Sequence, residues 1–218
     1  VNPNSDEGEG FIEIDTLRKE IRGYNPVHRI YQGWGEPAGY NGYFVISYQN
    51  EIAEYGTFHG DTLFAGQTVM PKGAAIGAYI RFKETTEPIL VKVGSSFTDM
   101  EGARQNLKAE IPHWNFEQTR NELIDIWEKR LAQISIETPT IEDKQLFYGA
   151  LYRASFLPHT FNDVDGRYPS FATGTPIRQL PEGETYYDGY SMWDTYRALH
   201  PLINLLTPTK GGHMMQSL

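Results

Sequence analysis

Cysteine is absent from the 218 residues, so neither a disulfide framework nor a thiolate metal site can be built from them. Basic runs are missing too. Against 28 Asp and Glu there are 19 Lys and Arg, a formal net charge of −9, and no cationic stripe interrupts the sequence. That balance argues against nucleic acid as a partner. No apolar run approaches the roughly 20 residues of a membrane-spanning helix, so no transmembrane segment is expected. The histidines (His28, His59, His113, His159, His200 and His213) are scattered without metal-ligand spacing. Ser191 lies in no Gly-x-Ser-x-Gly elbow, which disfavours a serine hydrolase.

Aromatic residues, by contrast, are abundant: 4 Trp, 14 Tyr and 11 Phe. They suit a carbohydrate-handling protein and equally a well-filled β core. From Phe11 to Val93 the pattern is β. Phe11 to Asp15 alternates, and Lys19–Tyr24, Gly42–Tyr48, Thr57–Phe64, Ala74–Phe82 and Ile89–Ser95 are further strands punctuated by Gly and Pro. Short strands with regular turns predict an antiparallel sandwich. Because the pattern opens midway, its first strands are expected to be missing. Ser96-Phe97-Thr98-Asp99 marks a change to helix. Glu101–Glu110 forms a short helix. Asn115 with Gln118 reads as a capping box ahead of a stripe of Leu123, Ile124, Trp127 and Leu131. A third helix follows Thr138-Pro139-Thr140, with Leu146, Phe147, Ala150, Leu151 and Ala154 as its buried face. The class changes from β to α near residue 97, and strands followed by helices imply either separate domains or an α+β layout.

One stretch concentrates chemistry. Tyr186, Tyr187, Tyr190, Trp193 and Tyr196 flank Asp194, Arg197 and His200. Met192, Tyr196, Leu199, Ile203 and Leu206 recur at helical spacing, predicting one helix from about Ser191 to Leu206. Ser191 is its expected N-cap, with Asp194 at the third helical position. Asp194 and Arg197, three apart, can meet on one helix face. A capped helix with an internal salt bridge accounts for these residues, and so does a sugar site. Aromatic faces match the apolar C–H faces of a pyranose, while Arg donates to and Asp accepts from its hydroxyls. Elsewhere, Asp163-Val164-Asp165-Gly166 lacks the further oxygen ligands of an EF-hand and reads as a tight turn with Gly166 at positive φ. Trp34, on the Gly-rich loop Gln32-Gly33-Trp34-Gly35-Glu36, is a sugar-binding candidate or a plug at a domain interface. None of the acidic residues forms a convincing general acid–base pair for glycoside hydrolysis.

The run Tyr190-Ser191-Met192-Trp193-Asp194-Thr195-Tyr196-Arg197-Ala198-Leu199-His200-Pro201-Leu202 resembles the signature of the calcium-dependent, exo-acting α-mannosidases of glycoside hydrolase family 92. Asp163-Val164-Asp165-Gly166-Arg167-Tyr168 and Tyr31-Gln32-Gly33-Trp34-Gly35-Glu36-Pro37-Ala38-Gly39-Tyr40 resemble the same family, in the same order. The resemblance implies a β-sandwich over residues 1–97, linker helices over 98–137, and the start of a truncated (α/α)6 catalytic barrel over 138–218. It implies hydrolysis of terminal α-mannosides of glycoprotein or yeast-type glycans by calcium-assisted inversion, in a periplasmic or secreted protein. The acid, the base and the principal calcium ligands would lie beyond Leu218, in the remainder of the same polypeptide. Asp194, Arg197, Trp193 and Trp34 are the expected substrate contacts, with no catalytic or metal residue in this chain. Trp193 is open to two roles, sugar platform or packing residue behind the pocket. The rival reading is a non-catalytic carbohydrate-binding β-sandwich with helical decoration.

Overall fold

A computed structural model describes residues 9–28, 37–170 and 177–218. Trp34 lies outside the described residues, as does the whole of its loop, residues 32–36. Two compact units emerge: Val1–Trp114 with Asn162–Gln179, and Asn115–Phe161 with Leu180–Leu218.

In the first unit, β1 (Gly10–Asp15), β2 (Glu20–His28), β3 (Pro37–Tyr48), β6 (Val69–Gly73) and β8 (Val91–Ser96) form an antiparallel sheet in the order β6-β1-β2-β3-β8. A second sheet has the order β5-β4-β7, from β4 (Ile52–His59), β5 (Thr62–Ala65) and β7 (Ile76–Phe82). Ile12, Met70 and Ile76 are buried together, with Ile21, Phe44 and Ala78 packed around them, so the sheets face one another across an apolar core. The alternation of Ile12 and Ile14 with Phe11 and Glu13 puts one face of β1 into that core. The antiparallel sandwich anticipated from the strand spacing is therefore present, followed by helices.

Two strands differ from expectation. The stretch Thr57–Phe64 is not one strand but a hairpin, in which His59 pairs with Thr62 across Gly60-Asp61 and Gly60 has φ +54°. A two-residue Gly-Asp turn needs positive φ, which Gly supplies without steric cost. β6 was concealed by Pro71. It is tolerated because β6 is an edge strand, and its register with β1 slips between Gly10 and Ile12, beside the proline.

Helix α1 (Met100–Glu110) lies on this sheet. Asp99 caps it, accepting from Gly102 N at 2.6 Å, and Ala103 and Leu107 are its buried apolar residues. Arg104 clasps the buried Glu20 of β2 with contacts of 2.8–3.2 Å. The expected turn at residues 163–166 forms, with Gly166 N donating to Asp163 O at 2.9 Å and Gly166 at φ +82°. The Asp163 side chain, only 4% exposed, does more than turn the chain. It accepts from Ser96 Oγ at 2.7 Å, from Asn106 Nδ2 at 2.8 Å, and from Thr98 Oγ1. Asn106 Oδ1 in turn accepts from Val164 N at 2.9 Å. Residues 162–170 are thereby fixed to the end of β8 and to α1.

Beside it, Arg167 donates to Asp99 and Asp165, each at 2.6 Å. The Arg167 guanidinium holds the Asp99 carboxyl below its usual range. Burial opposes this, and the amides at the start of α1 add to it. Because the folded value is depressed, the stabilisation is complete above the ordinary value of 3.8 and is lost as pH falls through the lowered one. Arg167→Met should therefore flatten the acid limb of a stability–pH curve between about pH 5 and pH 2. A curve as steep as wild type would remove the pair from the account. The effect is modest, since solvent screens a carboxylate 45% exposed.

The second unit is helical. α2 (Phe116–Leu131) begins at Asn115, whose Oδ1 accepts from Gln118 N at 3.0 Å, the main-chain half of the anticipated capping box. The Gln118 side chain turns to Glu122 instead. α3 (Ile141–Ala154) is capped by Thr140, and of its expected buried face Leu151 is covered while Leu146 remains 68% exposed. Trp127 of α2 packs on Tyr152 and Phe156. α4 (Met192–Thr195), α5 (Leu199–Leu206) and α6 (Pro208–Gln216) complete the unit, around a small core of Tyr187, Ile203 and Met214. The single helix expected from Ser191 to Leu206 is thus broken over Tyr196–Ala198. Pro201 explains the break: in a continuous helix its ring would meet the Arg197 carbonyl and its missing N–H would leave that carbonyl unbonded. In the first turn of a new helix it is accommodated. No helix among the described residues is long and apolar enough to cross a membrane.

Candidate functional site

The signature stretch is held at its start by an unusual backbone. Ser191 has φ +41° and ψ +54°, a left-handed conformation that costs a non-glycine residue about 1 kcal/mol or more. Its carbonyl accepts from Asp194 N at 2.9 Å and from Thr195 N at 3.1 Å, and the Thr195 hydroxyl donates to Tyr190 O at 2.8 Å. Thr195 Oγ1 also lies 2.9 Å from His200 Nε2, and the His200 ring stacks on Tyr190. Tyr190 donates to Met214 O at 2.6 Å, which ties the stretch to α6. His200 is thus a packed polar residue.

The aromatics anticipated as sugar platforms divide by burial. Tyr187 is 6% exposed in the core, and Tyr186 lies against Phe161. Trp193 is 84% exposed and Tyr196 is 54% exposed. Asp194 and Arg197 are also exposed, but the anticipated pairing between them does not form. Asp194 accepts from Ser191 Oγ at 2.7 Å, while Arg197 Nε donates to Tyr196 OH at 2.9 Å with its guanidinium 5.3 Å from that ring. The break before α5 takes Arg197 out of the regular helix that would have brought the two together. Ser191, expected as a cap, likewise bonds the Asp194 carboxylate and caps no backbone amide. The consequence is chemical. A carboxylate not bound to a cation and a guanidinium not bound to a carboxylate stand at the surface beside an open indole, free to accept from and donate to a ligand's hydroxyls.

Behind this surface lies a cavity of about 140 Å³, lined by Tyr190, Met192, Tyr196, His200, Asn204 and Met214 among others. Neither it nor the left-handed Ser191 was foreseen. Asn204 and Met214 come from elements whose meeting no local pattern records.

Among the described residues no three His, Asp or Glu side chains gather to hold a metal ion. The carboxylate of Asp163 is engaged by two hydroxyls and an amide, and that of Asp165 by Arg167. No step is assigned here to a metal.

Comparison with known proteins defines the class. A sequence profile for the glycosyl hydrolase family 92 N-terminal domain matches residues 2–96, and one for the glycosyl hydrolase family 92 catalytic domain matches residues 102–218. The chain belongs to glycosyl hydrolase family 92.

Among solved structures it is similar to the inverting mannosidase BT2199 of Bacteroides thetaiotaomicron VPI-5482, with a TM-score of 0.82 and 28% identity. That match covers 96% of this chain and 28% of the mannosidase. It is also similar to the α-mannosidase BT3965 of Bacteroides thetaiotaomicron, with a TM-score of 0.81 and 26% identity over 97% of this chain and 28% of the other. The chain thus spans little more than a quarter of the length of these relatives. No curated protein matches it.

Proposed function

We propose that this chain is part of an α-mannosidase that removes terminal α-mannosyl residues from glycoprotein or yeast-type glycans, and that Asp194, Arg197 and Trp193 contribute to its sugar pocket. The observation that carries the proposal is the exposed trio itself. It lies within the signature of a family whose solved relatives include mannosidases, and its polar groups are not neutralised by each other. Arg197 would donate to one sugar hydroxyl, Asp194 would accept from another, and the Trp193 face would cover apolar C–H groups. Trp34 belongs to the same proposal as a further substrate contact. Inversion at the anomeric carbon, the proton transfers and the assisting calcium are assigned to residues other than those described here. This fits the small share of the mannosidase relatives that the chain covers.

The test is Asp194→Ala in the intact enzyme. A hydrogen bond to a charged group contributes about 1.5–3 kcal/mol, so kcat/KM on an α-mannoside should fall by roughly 10- to 150-fold. The melting temperature should barely move, because an exposed substitution away from the core usually changes stability by under ~0.5 kcal/mol. Unchanged turnover, or loss of fold in step with activity, would refute the role.

A further inference from the structure

The sandwich unit contains a second cavity, of about 500 Å³, whose lining has the opposite character to the chain as a whole. Five cationic side chains, Arg18, Lys19, Lys92, Arg104 and Lys108, face it against one carboxylate, Glu20. Arg104 neutralises that carboxylate with its guanidinium fork. Lys19, Lys92 and Lys108 have no carboxylate within ion-pair distance among the described residues, although acidic residues outnumber basic ones 28 to 19.

Two of these ammonium groups are held in place by main-chain carbonyls. Lys19 Nζ donates to Gln49 O at 2.6 Å, and Lys92 Nζ donates to Ile111 O at 2.8 Å while sitting 4.3 Å over the Trp114 ring. Fixed positive charges lose little freedom when an anion arrives, and that preorganisation favours binding. Burial draws the Lys92 ammonium below its usual range, and a neighbouring anion would favour its charged form. Small-ligand pockets typically enclose about 300–1,000 Å³, so the space is larger than a bare oxyanion requires.

We infer that this cavity is a binding site for an oxyanion ester, a phosphate or sulfate carried on a sugar. Lys19, Lys92 and Lys108 contact the anion, and the Trp114 side of the cavity, with Ser47 and Gln49, receives the polyol. The sugar half of the inference rests on the glycan reading above; the anion half does not.

Calorimetric titration at low ionic strength tests both, with glucose 6-phosphate and glucose 6-sulfate as ester probes, inorganic phosphate as the bare anion and glucose as the neutral sugar. The esters should bind, and affinity should fall at least tenfold in Lys108→Glu, an exposed substitution that leaves the fold intact by circular dichroism. Lys210→Glu, the same charge change in the helical unit, should change affinity less than twofold. Binding should weaken as salt screens the charges. No binding of any anion, equal affinity in Lys108→Glu and wild type, or a loss in Lys210→Glu as large as in Lys108→Glu would overturn the site. Inorganic phosphate binding as tightly as the esters would overturn the sugar half. Release of mannose from an α-mannoside is measured separately, so failure here and failure of the mannosidase reading are distinguishable.

Discussion

Replacing Gly94 with valine should prevent the sandwich unit from reaching its folded state, and alanine alone should cost about 3 kcal/mol or more. Gly94 in β8 lies directly beneath α1. A Cβ there would run into the Ala103 carbonyl oxygen and stand 2.6 Å from Leu107 Cβ. Neither neighbour can rotate away, because one is main chain and the other is the first atom of its side chain. Only lifting α1 off the sheet relieves the overlap, and Ala103 at 0% and Leu107 at 6% exposure would then lose their burial. Overpacking a core costs about 1–3 kcal/mol, and uncovering a leucine adds about 1.5–3 kcal/mol. Denaturant unfolding of Gly94→Ala measures the sum. A midpoint equal to wild type would mean that α1 does not rest on β8 as described.

Asp163→Ala should destabilise the same unit by about 3–5 kcal/mol. The carboxylate is the shared acceptor for Ser96, Thr98 and Asn106, and bonds to a charged acceptor are worth about 1.5–3 kcal/mol each. The sum is an upper limit, because the two hydroxyls can turn to other acceptors. Asp163→Asn keeps an acceptor oxygen and the shape, so it should cost less than half as much. Equal losses for the two substitutions would point to the charge as the essential property; no loss in either would show that the buried carboxylate does not hold the segment. Gly102 reports on the same cluster from the other side, since a Cβ there would stand 2.8 Å from both Ser96 Oγ and Thr98 Oγ1.

These positions show where sequence reading reaches its limit. The alternation at Ile12 and Ile14, the Asn115 cap and the turn ending at Gly166 are local patterns, each decided within a few residues, and each was legible. The partners of Asp163 were not. Ser96 and Asn106 lie 67 and 57 residues away, and a hydroxyl or amide gives no advance sign of the carboxylate it will meet. The same holds for the 140 Å³ cavity behind the signature, which takes Asn204 and Met214 from two other helices. The break before α5 was a different failure. Pro201 was visible, but the apolar period on either side of it outweighed the missing N–H. The signature was readable as a sugar-site candidate from composition, yet the state of its polar groups depended on that break.

The chain enters the helical unit at Asn115, returns to the sandwich unit at Asn162, and leaves it again at Leu180. During synthesis this interleaving imposes an order of events. β8 and α1 emerge from the ribosome well before Asp163, and until it arrives Ser96, Thr98 and Asn106 have only local partners, such as Ser96 Oγ with Thr98 Oγ1 and Asn106 Nδ2 with Ser95 O, with water in place of the carboxylate. α2 and α3 are both made in that interval. The contacts that pin the end of β8 to α1 through Asp163 therefore form only after α2 and α3 have been made, and a nascent chain arrested near residue 150 should exchange the amide protons of α1 and the end of β8 faster than the released chain does.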